Sequence, residues 1–192
     1  MGSRDRYWLS VCNTIAENTK CLSIKIGVVV VKDDRYILST GYNGPPAGSR
    51  HCDDLKYRQM LFDKNYGVEG NKLGYHAVVK DDIKLCPRGV MGFKSGEGLE
   101  YCQSAHAERN AIAVAARLGH SLEGATMYMN CGIPCFECAK SIINSGISNI
   151  VVRSDFIYDK KGLSGLDILM NGGIKIRVME GVGDEKGAKH RD

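Results

Sequence analysis

Apolar residues recur along this chain in two rhythms. Tyr7, Trp8, Val11, Cys12 and Ile15 fall at helical spacing and predict an amphipathic helix over residues 5–18. IGVVVVK (26–32) is a β-branched run suited to a buried strand. Two aspartates then make a turn, and RYILSTGY (35–42) returns as its hairpin partner. NGPPAGS (43–49) reads as a loop. Further on, the pattern predicts a helix over 105–119 with a Gly119 stop, a strand over 125–130, a helix over 135–146 and a strand over 148–153. A short helix over 163–173 and a strand over 174–180 follow. Strands alternating with helices imply an α/β layer fold, and the opening hairpin makes the sheet mixed. Residues from about 53 to about 104 keep neither rhythm. They read as an irregular insertion held by something other than a large apolar core. The last dozen residues, about 181–192, carry few apolar groups and are expected to form a mobile tail.

Composition changes this picture little. A chain of 192 residues with 43% hydrophobic and 25% charged residues is one domain, here 1–192 with its insertion. There is no internal repeat and no clear linker. The net charge of +4 is dispersed. A nucleic-acid partner normally shows as a denser Lys/Arg cluster, whereas a small anionic substrate needs only a few cations. No apolar run approaches about 20 residues, and MGSRDRYWLS has no signal-peptide core, so a cytoplasmic protein without membrane partners is expected. In that reducing compartment, eight cysteines point to metal or catalysis before disulfides.

The chemistry concentrates in SAHAERNAI and CGIPCFECAK. Cys135 and Cys138 lie three apart at the start of a predicted helix, where neighbouring positions share a face and the helix dipole favours thiolates. His106 starts the other long helix. Two thiolates and one imidazole balance the charge of Zn²⁺ and leave one tetrahedral position open, as a catalytic zinc requires. Glu108, two residues on, points about 200° from His106 at helical spacing. It is therefore expected as a proton carrier rather than a fourth ligand. The signature H-x-E with P-C-x-x-C is that of zinc-dependent base deaminases. A redox dithiol and a closed structural zinc, with Cys131 as fourth ligand, are the competing readings. Cys131 and Cys12 read more simply as core residues.

Together, STGYNGPPAG, SAHAERNAI and IPCFECAKSIINSGI, in this order, resemble the deoxycytidylate (dCMP) deaminase family. The resemblance implies a cytidine-deaminase-like three-layer α-β-α sandwich with a mixed sheet of about five strands. It implies hydrolysis of dCMP, at the C4 amine of its cytosine, to dUMP and ammonia, feeding dTMP synthesis. His106, Cys135 and Cys138 would hold zinc, with Glu108 as proton shuttle. Asn43 would contact the sugar, the Ala107 amide the base carbonyl, and the Ile133 carbonyl the exocyclic amine. Ser23, Lys25 and Tyr158 lie where the family approaches the phosphate. The plain readings remain beside these: Lys25 as a solvated charge, Asn43 as an Asn-Gly turn residue.

Family members are often homohexamers activated by dCTP and inhibited by dTTP, with Mg²⁺ expected beside a bound triphosphate. NGPPAG, with Asn43, Gly44 and Gly48, resembles the loop that builds the allosteric site. Arg117 resembles a regulatory position, against a plain exposed helix arginine. Cys21, Cys52, Cys86 and Cys102 flank or enter the insertion, and CPRG…SGEGLEYCQSAHAE resembles a cysteine-bearing segment of bacterial, archaeal and phage relatives. A second, structural zinc on these four is expected, with His51 able to replace one thiolate, against ordinary buried cysteines. Two other functions stand as alternatives. One is a deaminase of a base within RNA or DNA, such as a tRNA adenosine deaminase. The other is a zinc module without catalysis.

Overall fold

The computed structural model describes residues 3–66, 85–94, 97–157 and 162–179. The chain divides into two compact units. Met1–Thr19, Lys25–Asn43 and His106–Asp192 form the first, and Lys20–Ile24 with Gly44–Ala105 the second.

The first unit is built on a five-stranded sheet: β1 (Gly27–Lys32), β2 (Tyr36–Tyr42), β3 (Thr126–Met129), β4 (Asn149–Val152) and β5 (Lys175–Val178). Their order is β2-β1-β3-β4-β5. β1 runs antiparallel to both β2 and β3, while β3, β4 and β5 are parallel, so the sheet is mixed as expected. Asp33 and Asp34, two of the three residues between the paired Lys32 and Tyr36, both take left-handed φ, 51° and 56°, and turn the hairpin.

Side chains alternate between two cores. Val28, Val30, Met127, Met129, Ile150 and Val152 pack on one face with Ala111, Ala115, Ala139, Ile142 and Leu169. Val29, Val31, Tyr128 and Val151 pack on the other with Trp8, Leu9 and Cys12 of helix α1 (Ser3–Ala16). A central strand covered on both faces explains why β1 is four consecutive valines. Each buried valine stabilises the fold by roughly 1.5–3 kcal/mol. α1 ends two residues before the predicted limit. The Glu17, Asn18 and Thr19 amides bond to carbonyls three residues back, tightening the chain into turns.

The second unit contains α2 (Leu55–Tyr66), α3 (Pro87–Val90) and, after them, a 3₁₀ turn at Leu99–Tyr101. A twelve-residue helix thus stands in the span that keeps neither apolar rhythm. Phe62 and Met91 anchor a small apolar cluster with Val90, Phe93 and Tyr101. Arg58 is wholly buried, and its guanidinium donates to the carbonyls of Cys52 and Leu85 at 2.9 and 3.0 Å. Gly44 and Ala105 pair by two main-chain hydrogen bonds of 3.2 and 2.9 Å, so the ends of the longer segment meet.

The remaining helices, α4 (Ala107–Leu118), α5 (Phe136–Asn144) and α6 (Gly165–Asn171), belong to the first unit. Ala107, Ala111 and Ala115 give α4 a flat buried face. That face lies so close to β2 that a Cβ on Gly41 would stand 2.3 Å from the Ala107 carbonyl oxygen. Among the described residues no helix is long and apolar enough to cross a membrane. The predicted tail lies outside the described residues.

Candidate metal centre and active site

His106 and Cys135 hold the same place on two helices. Each is the N-cap, in extended backbone with φ −69° and ψ 151° for His106 and φ −63° and ψ 162° for Cys135. The helices predicted over 105–119 and 135–146 therefore begin one residue after their ligands. Cys138 sits on the first turn of α5 and is fully buried. His106 Nδ1 lies 3.5 Å from Cys135 Sγ and 3.3 Å from Cys138 Sγ. With Zn–S near 2.3 Å and Zn–N near 2.0–2.1 Å, tetrahedral geometry separates such donors by about 3.6 Å, so the trio fits zinc. Among the described residues it is the only group whose ligand atoms lie within 4.8 Å of one another.

The electrostatics agree. The Cys138 thiol, and then His106, pull Cys135 down to about 4. Its thiolate in turn, with burial, holds the proton on Cys138. Hydrogen bonding to Cys135 raises His106. The pair thus carries one proton between two sulfurs, and a cation held by both would take that proton's place.

Glu108, only 4% exposed, lies on the first turn of α4. Burial is the main force raising its pKa, and its carboxylate bonds to Cys138 while feeling His106 and Cys135. The predicted 200° separation from His106 is corrected here. It assumed that both residues are helical, but His106 has already left the helix, so its ring and the Glu108 carboxylate share one site. Glu108 is not among the three clustered ligands. Sequence reasoning missed Arg109, whose guanidinium reaches Glu137 of α5 at 3.6 Å and bridges the two helix starts. Its adjacency to HAE was the available signal.

Ala107 opens α4, so its amide is one of the four that the helix itself leaves unsatisfied. Ile133 is buried, and its amide donates to the Phe156 carbonyl at 2.9 Å. Asn43 is 5% exposed. Its Oδ1 accepts from the Ile26 amide at 2.9 Å, which fixes the orientation of the side-chain amide. Thr19 donates to the Asn43 carbonyl, and Asn110 of α4 donates to the neighbouring Tyr42 carbonyl at 2.8 Å. Asn43 and the ligand-bearing helix therefore share one frame.

Lys25 is exposed in the first unit, and Ser23 is exposed in the second. Tyr158 lies outside the described residues. Gly44 is buried and Gly48 exposed in the second unit. Arg117 is exposed in the last turn of α4, about 14 Å along the axis from Glu108.

Cys21, Cys52, Cys86 and Cys102 all fall in the second unit. Burial pushes the Cys52 thiol up to about 12, with Cys86, Cys102 and Cys21 adding to the rise. The four are thus neighbours, although looser than the trio of His106, Cys135 and Cys138. His51 Nδ1 is buried there without a hydrogen-bond partner among the described residues. Cys12 is buried in the α1 core, and Cys131 packs against the opposite core.

Comparison with known proteins places these features in context. Residues 2–154 match the family model described as the cytidine and deoxycytidylate deaminase zinc-binding region. The chain is 36% identical over 171 residues to the deoxycytidylate deaminase of Enterobacteria phage T4, covering 88% of this chain and 86% of that one. It is 37% identical over 171 residues to the phage T2 deoxycytidylate deaminase, covering 88% of each. Its fold is similar to the dCMP deaminase of cyanophage S-TIM5, solved in complex with dCMP and dUMP. That likeness has a TM-score of 0.60 and 21% identity, over 93% of this chain and 99% of that one.

Proposed function

The chain belongs to the deoxycytidylate deaminase family of zinc-dependent cytidine and deoxycytidylate deaminases, and from that premise we propose that it hydrolyses dCMP to dUMP and ammonia. One observation carries the reading: His106, Cys135 and Cys138 stand at zinc spacing with buried Glu108 beside them. Zinc bound by these three would supply Lewis-acid activation of the attacking water. Glu108 takes one proton from the attacking water and passes it to the ring nitrogen, where it stays, and then carries the second proton, from the hydroxyl now on C4, to the leaving amine. The C4–O bond forms, the C4–N bond breaks, and ammonia departs. A buried carboxyl with a raised pKa suits a group that must accept and return a proton near neutral pH.

The Ala107 amide meets the base carbonyl, the Ile133 carbonyl accepts from the exocyclic amine, and Asn43 holds the sugar. Support for Asn43 is its fixed amide in the frame of α4. Ser23, Lys25 and Tyr158 face the phosphate. A second zinc, structural in role, is held by Cys21, Cys52, Cys86 and Cys102, with His51 as the alternative ligand. The gathering of the four thiols around Cys52 supports this. In the cell we place the enzyme in the cytoplasm, supplying dTMP synthesis as a homohexamer. dCTP, with Mg²⁺, and dTTP act through Asn43, Gly44, Gly48 and Arg117.

Ammonia release from a panel of cytosine and adenine nucleotides, with and without dCTP and dTTP, tests the reading. dCMP is expected to be the best substrate. Equal turnover of deoxycytidine removes the phosphate contacts. Preference for a base within RNA or DNA overturns the assignment.

A further inference from the structure

The loop that carries Cys135 is gripped on two sides, at the nearest points by main chain. On one side Gly132 faces the strand-like segment after β4. A Cβ on Gly132 would stand 2.4 Å from the Phe156 carbonyl oxygen. The loop is tied there by Ile133 N–H to Phe156 O and by Arg153 N–H to Cys131 O, both 2.9 Å. On the other side, Gly165 opens α6. A Cβ on Gly165 would stand 1.8 Å from the Pro134 carbonyl oxygen, 2.9 Å from its carbon and 3.0 Å from the Cys135 carbonyl carbon.

These obstacles are backbone, so no rotamer change relieves them. Nor is α6 loose enough to slide aside. Ser164 and Asp167 cap it reciprocally, with Asp167 N–H to Ser164 Oγ at 3.2 Å and Ser164 N–H to Asp167 Oδ2 at 2.9 Å. The helix core residue Leu169 is fully buried. A methyl at 165 must therefore move the Pro134–Cys135 peptide by about 1 Å or more, whereas zinc ligands tolerate only about 0.2 Å. The displaced peptide is the one that aims the Cys135 side chain.

We infer that Gly165 is a positioning residue for the metal centre, holding Cys135 in place through the Pro134 peptide, with Gly132 as its counterpart on the opposite side of the loop. The inference rests on the reading that His106, Cys135 and Cys138 bind zinc. Neither glycine is among the three clustered ligands. Their contribution is the absence of a side chain where two backbones meet.

The full chain, loaded with zinc or with cobalt as a spectroscopic substitute, provides the test. Gly165→Ala should bind zinc about 10–100-fold more weakly than wild type in competition with a chelator, and so release it more readily, the range seen when groups that orient metal ligands are removed. Its cobalt–thiolate absorption should shift, and kcat should fall with little change in KM. Ser164→Ala weakens the α6 cap without placing a side chain in the grip, so it should lower Tm yet keep the wild-type cobalt spectrum. Wild-type release and spectrum in Gly165→Ala overturn the inference. So does an equal spectral change in Ser164→Ala, which would make α6 stability alone responsible. If Gly165→Ala does not fold, Gly132→Ala carries the same expectation, and wild-type behaviour there also overturns it. Cys135→Ser separates the two readings: if it keeps the full zinc content of wild type, the metal assignment itself fails.

Discussion

Glu108 is the residue where function and stability oppose each other. Burial raises its pKa above the ordinary carboxylate range, so the metal-free native state favours its protonated form. Its contribution to stability is then fully present below the unfolded carboxylate value. It is lost as pH rises through the higher native value. In metal-free protein, Glu108→Gln should flatten that part of the Tm–pH profile and raise Tm at neutral pH. The same substitution in zinc-loaded protein should lower kcat by about 10²–10⁴-fold with zinc retained. A variant with unchanged turnover would remove Glu108 from the mechanism. The identity of these residues was legible because HAE and PCFEC are contiguous in the sequence. Their geometry was not. Whether His106 and Cys135 begin their helices or precede them is a one-residue question, finer than apolar spacing resolves.

At the scale of elements, α4 brings His106 to the sheet only because its alanine face can come so close to β2. Gly41→Ala places a carbon against the Ala107 carbonyl and the Ala111 amide at 2.3 and 2.4 Å. Overpacking of this kind should cost about 1–3 kcal/mol, measurable by urea denaturation, and should loosen zinc as the N-terminus of α4 lifts. Ligand-bearing caps also make a separate prediction. Amides in the first turns of α4 and α5 should exchange with solvent slowly in zinc-loaded protein and faster once zinc is stripped, while β1 amides stay protected. Equal protection in both states would detach the helix starts from the metal. All five strands and the helices of the first unit were readable from their periodicity. α2 was not, since in LKYRQMLFDKNY apolar Leu55 and Met60 are exposed while one of its most buried residues is Arg58. A charged residue in the core contradicts the pattern on which such readings depend.

For the whole molecule, the decisive quantity is metal stoichiometry. Two zincs per chain are expected, and Cys52→Ser should reduce the content to one while Cys135 remains protected from alkylation. One zinc in wild type would leave Cys21, Cys52, Cys86 and Cys102 as ordinary thiols. The longer segment of the second unit has a further consequence. Because Gly44 and Ala105 are hydrogen-bonded partners, the chain departs and returns at adjacent points. None of Glu108, His106, Cys135 and Cys138 lies between them. Replacing this span of about 60 residues by a short turn would reduce loop-closure entropy by about four doublings of length, on the order of 2 kcal/mol. That junction is a natural splice point. An unrelated domain with neighbouring termini could be grafted there, and its ligand binding made to tune a deaminase from outside.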